Sequence, residues 1–260
     1  MSDYPKLNKQ PLRFVLAEFR FSTVMDIQAY IPKLQEALRK KYPTPDKKTE
    51  QSVHVQAGGI GVSSYDRWSF MSANKRSAID INQDRLVYCT ADYPRFEGFS
   101  IACDHALSAL ASIVDPSLIL RIGLRYGDLV NIEEGENIAD LVNPHFTFPS
   151  CVDTLGRPQH QRSETLLATE LGSLSIRTLY GKHNLTCLPD IQGVLPVSIE
   201  TDKIPSERIV LDFDHFWESK GEPIAFETKH ILNILESLHE TSRAAFWKVT
   251  TDYARNEKWA

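Results

Sequence analysis

The sequence has no CxxC pair, no GxGxxG or GxxxxGK[ST] loop and no GxSxG elbow, and these absences exclude most chemistry that announces itself locally. A structural zinc site lacks its spacing, because HxxxC occurs only as His183 to Cys187 with no second pair. The glycines of AGGIGV, Ala57 to Val62, stand inside strand-like sequence and read as a bulged or closely approached strand, not a phosphate loop. There are only four cysteines, Cys89, Cys103, Cys151 and Cys187. Their scatter suits reduced core thiols in a reducing compartment, and nothing marks any of them as activated. A basic surplus is also missing. With 29 Lys and Arg against 34 Asp and Glu, the formal charge of −5 gives no long-range attraction toward nucleic acid or an anionic membrane. No apolar run approaches the ~18 residues of a spanning helix. The start, MSDYPKLNKQ, is polar with no apolar leader core, so an unexported, cytoplasmic protein is expected and the Asn184-Leu185-Thr186 sequon reads as coincidence. Sequence repeats and low-complexity tracts are absent as well.

What is present is enough apolar and aromatic sequence, 42% and 10%, to build a real core. PLRFVLAEFRF, Pro11 to Phe21, reads as a central strand buried on both faces. Ile27, Tyr30, Ile31, Leu34 and Leu38 then recur at helical spacing, with Pro32 either kinking the helix or marking its start. After the polar KKYPTPDKKTE, an antiparallel meander is expected from SVHVQAGGIGV, RWSFMSA, SAIDI and RLVYCTA. Phe99, Cys103, Ala106, Leu110 and Ile113 form the apolar face of a helix that Asp115-Pro116 ends, and LILRIGLRYGDLVNI returns as a strand. Residues 133–163, rich in Pro, Gly, Asn and His, read as an irregular connection between residues 1–132 and residues 164–260. The second half offers TLLATELGSLSIRTLYGK, GVLPVSIETDK and RIVLDFDHFWE as strands and a helix over about 226–249. The expected fold is α+β, mainly antiparallel sheet with helices packed on one face, in two sheet-containing halves that form one compact unit.

Three strands carry charges at period two. Glu18 and Arg20, Arg121 and Arg125, and Asp212 and Asp214 each share one side of a strand, and their formal charges cancel. Buried charges persist when paired, and arginine forks match carboxylates, so these strands are expected to be sheet neighbours with cross-strand ion pairs. Asp252 is a further carboxylate within the same account. A competing reading makes Asp212 and Asp214, with His239 or Glu240, a divalent-metal site for phosphoryl transfer. Another makes Arg121, Arg125 and Tyr126 an anion or nucleic-acid surface, with Trp68, Phe70 and Tyr88 as stacking platforms, although those aromatics read better as core. A partner that adds to an exposed strand needs no catalytic group and suits the sequence better.

PLRFVLAEFRF, RLVYCTADYPRFEGF, RIGLRYGDLVNI, LDFD and LHETSRAAFWKVTTDYARNEKW, in that order, resemble a sporadically distributed, uncharacterised bacterial protein family of about this length. The resemblance spans nearly the whole chain and carries Glu18, Arg20, Arg121, Arg125, Tyr126, Asp212, Asp214, His239, Thr251, Asp252 and Trp259. His215-Phe216-Trp217 departs from it. The family's patchy distribution implies a defence or toxin-antitoxin-like context. The reading that follows is a non-catalytic, cytoplasmic protein without cofactor that binds a protein partner, with Arg121, Arg125, Tyr126, Glu18 and Arg20 as candidate binding residues. Its oligomeric state is left open.

Overall fold

The computed structural model describes residues 4–56, 59–156, 159–222 and 224–260. Its strands are β1 (Leu12–Phe21), β2 (Thr44–Gln56), β3 (Gly59–Met71), β4 (Ser77–Ile81), β5 (Arg85–Thr90), β6 (Leu118–Asn131), β7 (His160–Ala168), β8 (Ser173–His183), β9 (Ser206–Glu218) and the short β10 (Ile224–Ala225). The α-helices are α1 (Ile31–Leu38), α2 (Phe96–Ile113), α3 (Ile138–Leu141) and α4 (Thr228–Val249). One antiparallel sheet runs in the order β2-β3-β4-β5-β1-β6-β9-β8-β7, with β10 beside β6. The fold is α+β, as expected. The first strand of the chain therefore lies mid-sheet between β5 and β6, and the pairing of β6 with β9 joins residues 1–132 and 164–260 in one sheet. Among the described residues, no helix is long and apolar enough to cross a membrane.

The alternation of β1 decides which face takes the helices. Val15, Ala17, Phe19 and Phe21 point to one side and pack with Ile122 and Leu124 of β6, Phe99, Cys103, Ala106, Leu107 and Leu110 of α2, and Ile231, Leu235 and Leu238 of α4. Farther along the sheet, Leu174, Ile176, Leu211 and Phe213 pack on Ala245 and Val249 of α4 and on Trp259. Helix α4, about 33 Å long at 1.5 Å per residue, thus spans both clusters. Pro32 stands in the first turn of α1, where its missing N–H costs nothing, and Ile27–Tyr30 before it form a 3-10 turn. Trp68, Phe70 and Tyr88 are core on this face and unavailable as stacking platforms.

Four readings of local sequence are corrected. The meander does not wait until after KKYPTPDKKTE: from Thr44 that segment is part of β2, an edge strand exposed along Pro45 to Thr49, so no apolar alternation betrays it. SVHVQAGGIGV is not one strand, because β2 ends at Gln56 and β3 begins at Gly59, its pairing partner. Within AGGIGV, Ala57 and Gly58 lie outside the described residues. TLLATELGSLSIRTLYGK is two strands, β7 and β8, turned where Thr169 N–H donates to the Gly172 carbonyl at 2.9 Å, and β7 begins at His160 inside the expected irregular connection. GVLPVSIETDK forms no strand. Its apolar residues face the sheet from a strap, residues 184–205, that crosses the helix-free face.

On that open face Gly127 makes room for an aromatic ring. A Cβ there would sit 1.9 Å from the Phe14 ring, whose residue pairs with Gly127 across β1 and β6. Gly127→Ala is expected to cost about 1–3 kcal/mol by overpacking. Combined with Phe14→Leu in a double-mutant cycle read by urea unfolding, the two costs are expected to fall short of their sum, because the smaller side chain removes the clash.

Candidate functional site

The open face is built from the side chains that the helix face leaves over. Strand β6 presents Arg121, Gly123, Arg125 and Gly127 there, so arginines alternate with glycines. A Cβ at Gly123 would lie 3.0 Å from Arg121 Nη1, which shows that the glycine leaves the guanidinium space to lie along the sheet. Arg121 then reaches left and Arg125 reaches right. Arg121 Nη1 donates to Glu18 Oε1 of β1 at 2.6 Å, and Arg125 Nε donates to Asp212 Oδ2 of β9 at 2.9 Å. Each carboxylate is gripped again from its other neighbour strand: Glu18 by Arg85 of β5 at 3.3 Å, Asp212 by Arg177 Nη2 of β8 at 2.7 Å. The expected cross-strand pairs are thus present, and the strands that carry them are adjacent.

The supporting shell is specific. Arg121 also pairs with Glu218 at 3.1 Å, and its guanidinium lies 4.3 Å from the Phe216 ring centroid. Glu18 feels burial, which raises its pKa, but Arg20, Arg121 and Arg85 outweigh that and hold the carboxyl below its ordinary range. Burial pushes the Asp212 carboxyl up against the opposing pull of Arg125 and Arg177, and Asp212 has 0% exposure. Asp190 comes from the strap and accepts from Arg125 Nη2 at 3.0 Å and from Arg177 Nη1 at 3.3 Å, so the strap is pinned to the same two arginines. Its ends are seated by apolar contacts: Leu188 against Leu129, Leu179 and Val210, and Val197 with Leu195 and Ile199 against Ala78, Cys89, Leu16 and Val87.

Between those anchors lies a cleft of about 260 Å³. Its floor carries Arg20, Arg67, Arg85, Arg121 and Arg125 with Glu18, Asp80 and Asp214, and Ile191, Val194, Leu195 and Pro196 of the strap form its roof. Five guanidinium groups face three carboxyls.

Other predicted residues lie elsewhere. Tyr126 projects from the opposite face of β6, half-buried, where its hydroxyl is 2.8 Å from His239 Nδ1, so it does not join Arg121 and Arg125 in an anion surface. His239 stacks on Phe96 with ring centroids 4.0 Å apart, and burial, with Arg243, depresses it to about 3. It is a neutral core-edge histidine across the sheet from Asp212 and Asp214, and Glu240 pairs with Arg243. The proposed metal ligands therefore do not converge: both oxygens of Asp212 already accept from arginines, and among the described residues no group of three His, Cys, Asp or Glu is arranged to hold a metal ion. Asp252 pairs with Arg255 at the chain end. Thr251 Oγ1 accepts from Ala254 N at 3.1 Å, which caps the last turn, and Trp259 closes the second core cluster. His215 is buried between the Leu238 carbonyl and Thr169. Arg85, Arg177, Asp190 and Glu218 were missed from sequence. Arg85 and Glu218 stand at open-face positions of strands read correctly as strands, so period two could have found them; Arg177 lay in a segment read as one strand that is two, and Asp190 carries no such signal.

No protein-family model matches the chain, and no curated protein matches it. The site is defined by its own geometry: a polar, arginine-rich cleft on a sheet face, framed by ion pairs.

Removing Asp212 leaves the charge of Arg125 and Arg177 to Asp190 and, 3.9 Å from Arg177, Asp214. Asp212→Ala is expected to lower the stability by about 3–5 kcal/mol in denaturant unfolding. Asp128, on the helix face of β6, gives a pH signature. Burial, with the Asp212 charge added, pushes its carboxyl from 3.8 up to about 8. Between these two values the native state keeps a proton that the unfolded chain has released, so the contribution of Asp128 to stability falls as pH rises through this window, by about 1.4 kcal/mol per unit. Asp128→Asn is expected to remove that contribution, so that the difference in unfolding free energy between variant and native protein grows in the variant's favour from pH 5 to pH 8.

Proposed function

We propose that the protein acts by binding another protein, without chemistry of its own, and that the partner adds a strand along β7. One observation carries this reading. β7 is a nine-residue edge strand paired on one side only, and its Leu166 and Leu167 are 66% and 43% exposed on opposite faces of the sheet. An unpaired strand edge is a row of ready donors and acceptors, and flanking apolar side chains add the affinity that a partner strand reads. The opposite edge makes the contrast. β2 opens with Pro45, Asp46, Lys47 and Lys48, the proline and charges that guard edges against pairing. In β7 the charged residues, Arg162 and Glu164, stop before Thr165, and the run Thr165 to Ala168 is unguarded and exposed.

A defence or toxin-neutralising setting in the bacterial cytoplasm is supported by the patchy distribution of the family that the chain resembles, and an adjacent gene product is the natural first partner to test. Replacing Leu166 and Leu167 together by lysine guards this edge as β2 is guarded. Both side chains are solvent-exposed, so the variant is expected to keep its unfolding midpoint within about 0.5 kcal/mol of the native value. Products of the neighbouring genes retained by the native protein are expected to be lost by the double variant, with amide exchange in β7 slowed only in the native complex. Equal retention by both proteins would remove strand addition at β7 from the account.

A further inference from the structure

The cleft beneath the strap takes none of its lining from β7. Within it the ion pairs do not use up the arginines. Glu18 is shared by Arg20, Arg85 and Arg121. Of the five N–H donors that each guanidinium carries, Arg20 spends one on Glu18, at 2.9 Å, and Arg85 spends one, at the long distance of 3.3 Å, among the described residues. Arg85 is nevertheless only 26% exposed. Arg67, with its side chain 8% exposed, pairs with Glu50, but its Nε stands 3.4 Å from Asp80 Oδ2 without a hydrogen bond, and Asp80 Oδ1 is also buried without a partner. A network that existed only to hold the sheet together would satisfy these groups, because a desolvated charge left short of partners is costly.

We propose that this cleft is a binding site for a small molecule bearing a phosphate or carboxylate group, with the oxyanion held by Arg20 and Arg85 above Arg67 and the remainder lying against Ile191, Val194 and Pro196 of the strap. The chemistry matches both ends. Planar guanidinium forks take oxyanions through paired N–H donors, and Arg20 and Arg85 share Glu18 as their ion-pair partner among the described residues, whereas Arg67, Arg121 and Arg125 each have a further acid. Burial pushes Asp80 above the ordinary carboxylate range, outweighing Ser69, Arg67 and Arg85, which further weakens the acidic side of the balance. At about 260 Å³ the space lies just under the usual range of small-molecule pockets and excludes a nucleic-acid strand as occupant of the enclosed part. Asn82, on the same wall, adds an amide for a neutral polar group.

The test uses the full-length protein with inorganic phosphate and with malonate, each titrated by calorimetry against sodium chloride of equal ionic strength. Saturable binding of one or both anions is expected, and which of the two binds more tightly separates a phosphate from a carboxylate ligand. Arg20→Gln, a change at a half-exposed side chain, and Arg85→Gln are each expected to weaken that binding at least tenfold. Arg39→Gln, at an exposed pair on α1, leaves it unchanged. Amide exchange in residues 191–196 is expected to slow on anion addition in the native protein and not in Arg20→Gln. Absence of saturable binding by either anion, or equal affinity in the Arg20 and Arg85 variants with native unfolding midpoints, overturns the assignment.

Discussion

A carboxylate on one strand, held from both neighbouring strands by arginine, is the unit on which the open face of this sheet rests. It occurs twice. Glu18 of β1 lies between Arg85 of β5 and Arg121 of β6, and Asp212 of β9 lies between Arg125 of β6 and Arg177 of β8. Strand β6 serves both units because Arg121 and Arg125 lean in opposite directions, and the glycines between and beyond them keep the surface low enough for guanidinium groups to lie flat. Lysine could not substitute. A single ammonium lacks the fork that lets Arg177 donate through both Nε and Nη2 to one Asp212 oxygen, or Arg125 divide itself between Asp212 and Asp190. With Asp212 fully buried, Arg125 and Arg177 are the costly ones to lose, because either loss leaves charge in a region poor in water, whereas Glu18 keeps two arginines when one is removed.

The strap follows from this. A sheet face lined with ion pairs offers little apolar surface to a helix, so the second layer on this side is irregular chain that brings its own carboxylate, Asp190, and seats itself through Leu188 at one end and Val197 at the other. Between those two seats the strap, from Ile191 to Pro196, roofs the cleft without filling it.

How much of this was readable depended on whether one strand alone carried the signal. Period two in PLRFVLAEFRF, RIGLRYG and VLDFD separated a helix face from a charged face, and the opposite signs on β1, β6 and β9 identified those strands as neighbours before any topology was known. Helix α4 was legible because its stripe faces one continuous apolar surface. Tyr126 was misplaced for want of the same parity applied strictly: one residue from Arg125 means the opposite face. The first part of β2 was invisible because an edge strand exposed from Pro45 to Thr49 has no alternation to display. GVLPVSIETDK misled for the converse reason, since its apolar residues anchor a strap to a sheet face and mimic the pattern of a strand. Asp190 lay beyond reach, because its partners are fixed only when the strap folds back.

The ion pairs also answer a question that hydrophobicity leaves open. A one-residue slip between two strands exchanges their faces and is excluded by the core, but a slip of two residues keeps every apolar side chain on the helix side. Between β6 and β9 the apolar pattern alone hardly separates registers two residues apart, since Val210, Asp212, Asp214 and Phe216 pass the same face in turn. The charges separate them. Moved by two residues in one direction, Val210 stands opposite Gly127, where Asp212 now accepts from Arg125; moved in the other, Asp212 is carried opposite Leu129 and Asp214 takes its place. Phe14 over Gly127 does the same for β1 against β6. The polar face therefore contributes chiefly to which sheet forms and less to how strongly it holds, consistent with the modest net worth of buried ion pairs. The outer side of β7 has no such arrangement. Thr165 to Ala168 carry neither a charge nor a proline to fix or forbid an incoming strand, so the register there is left for a partner to set.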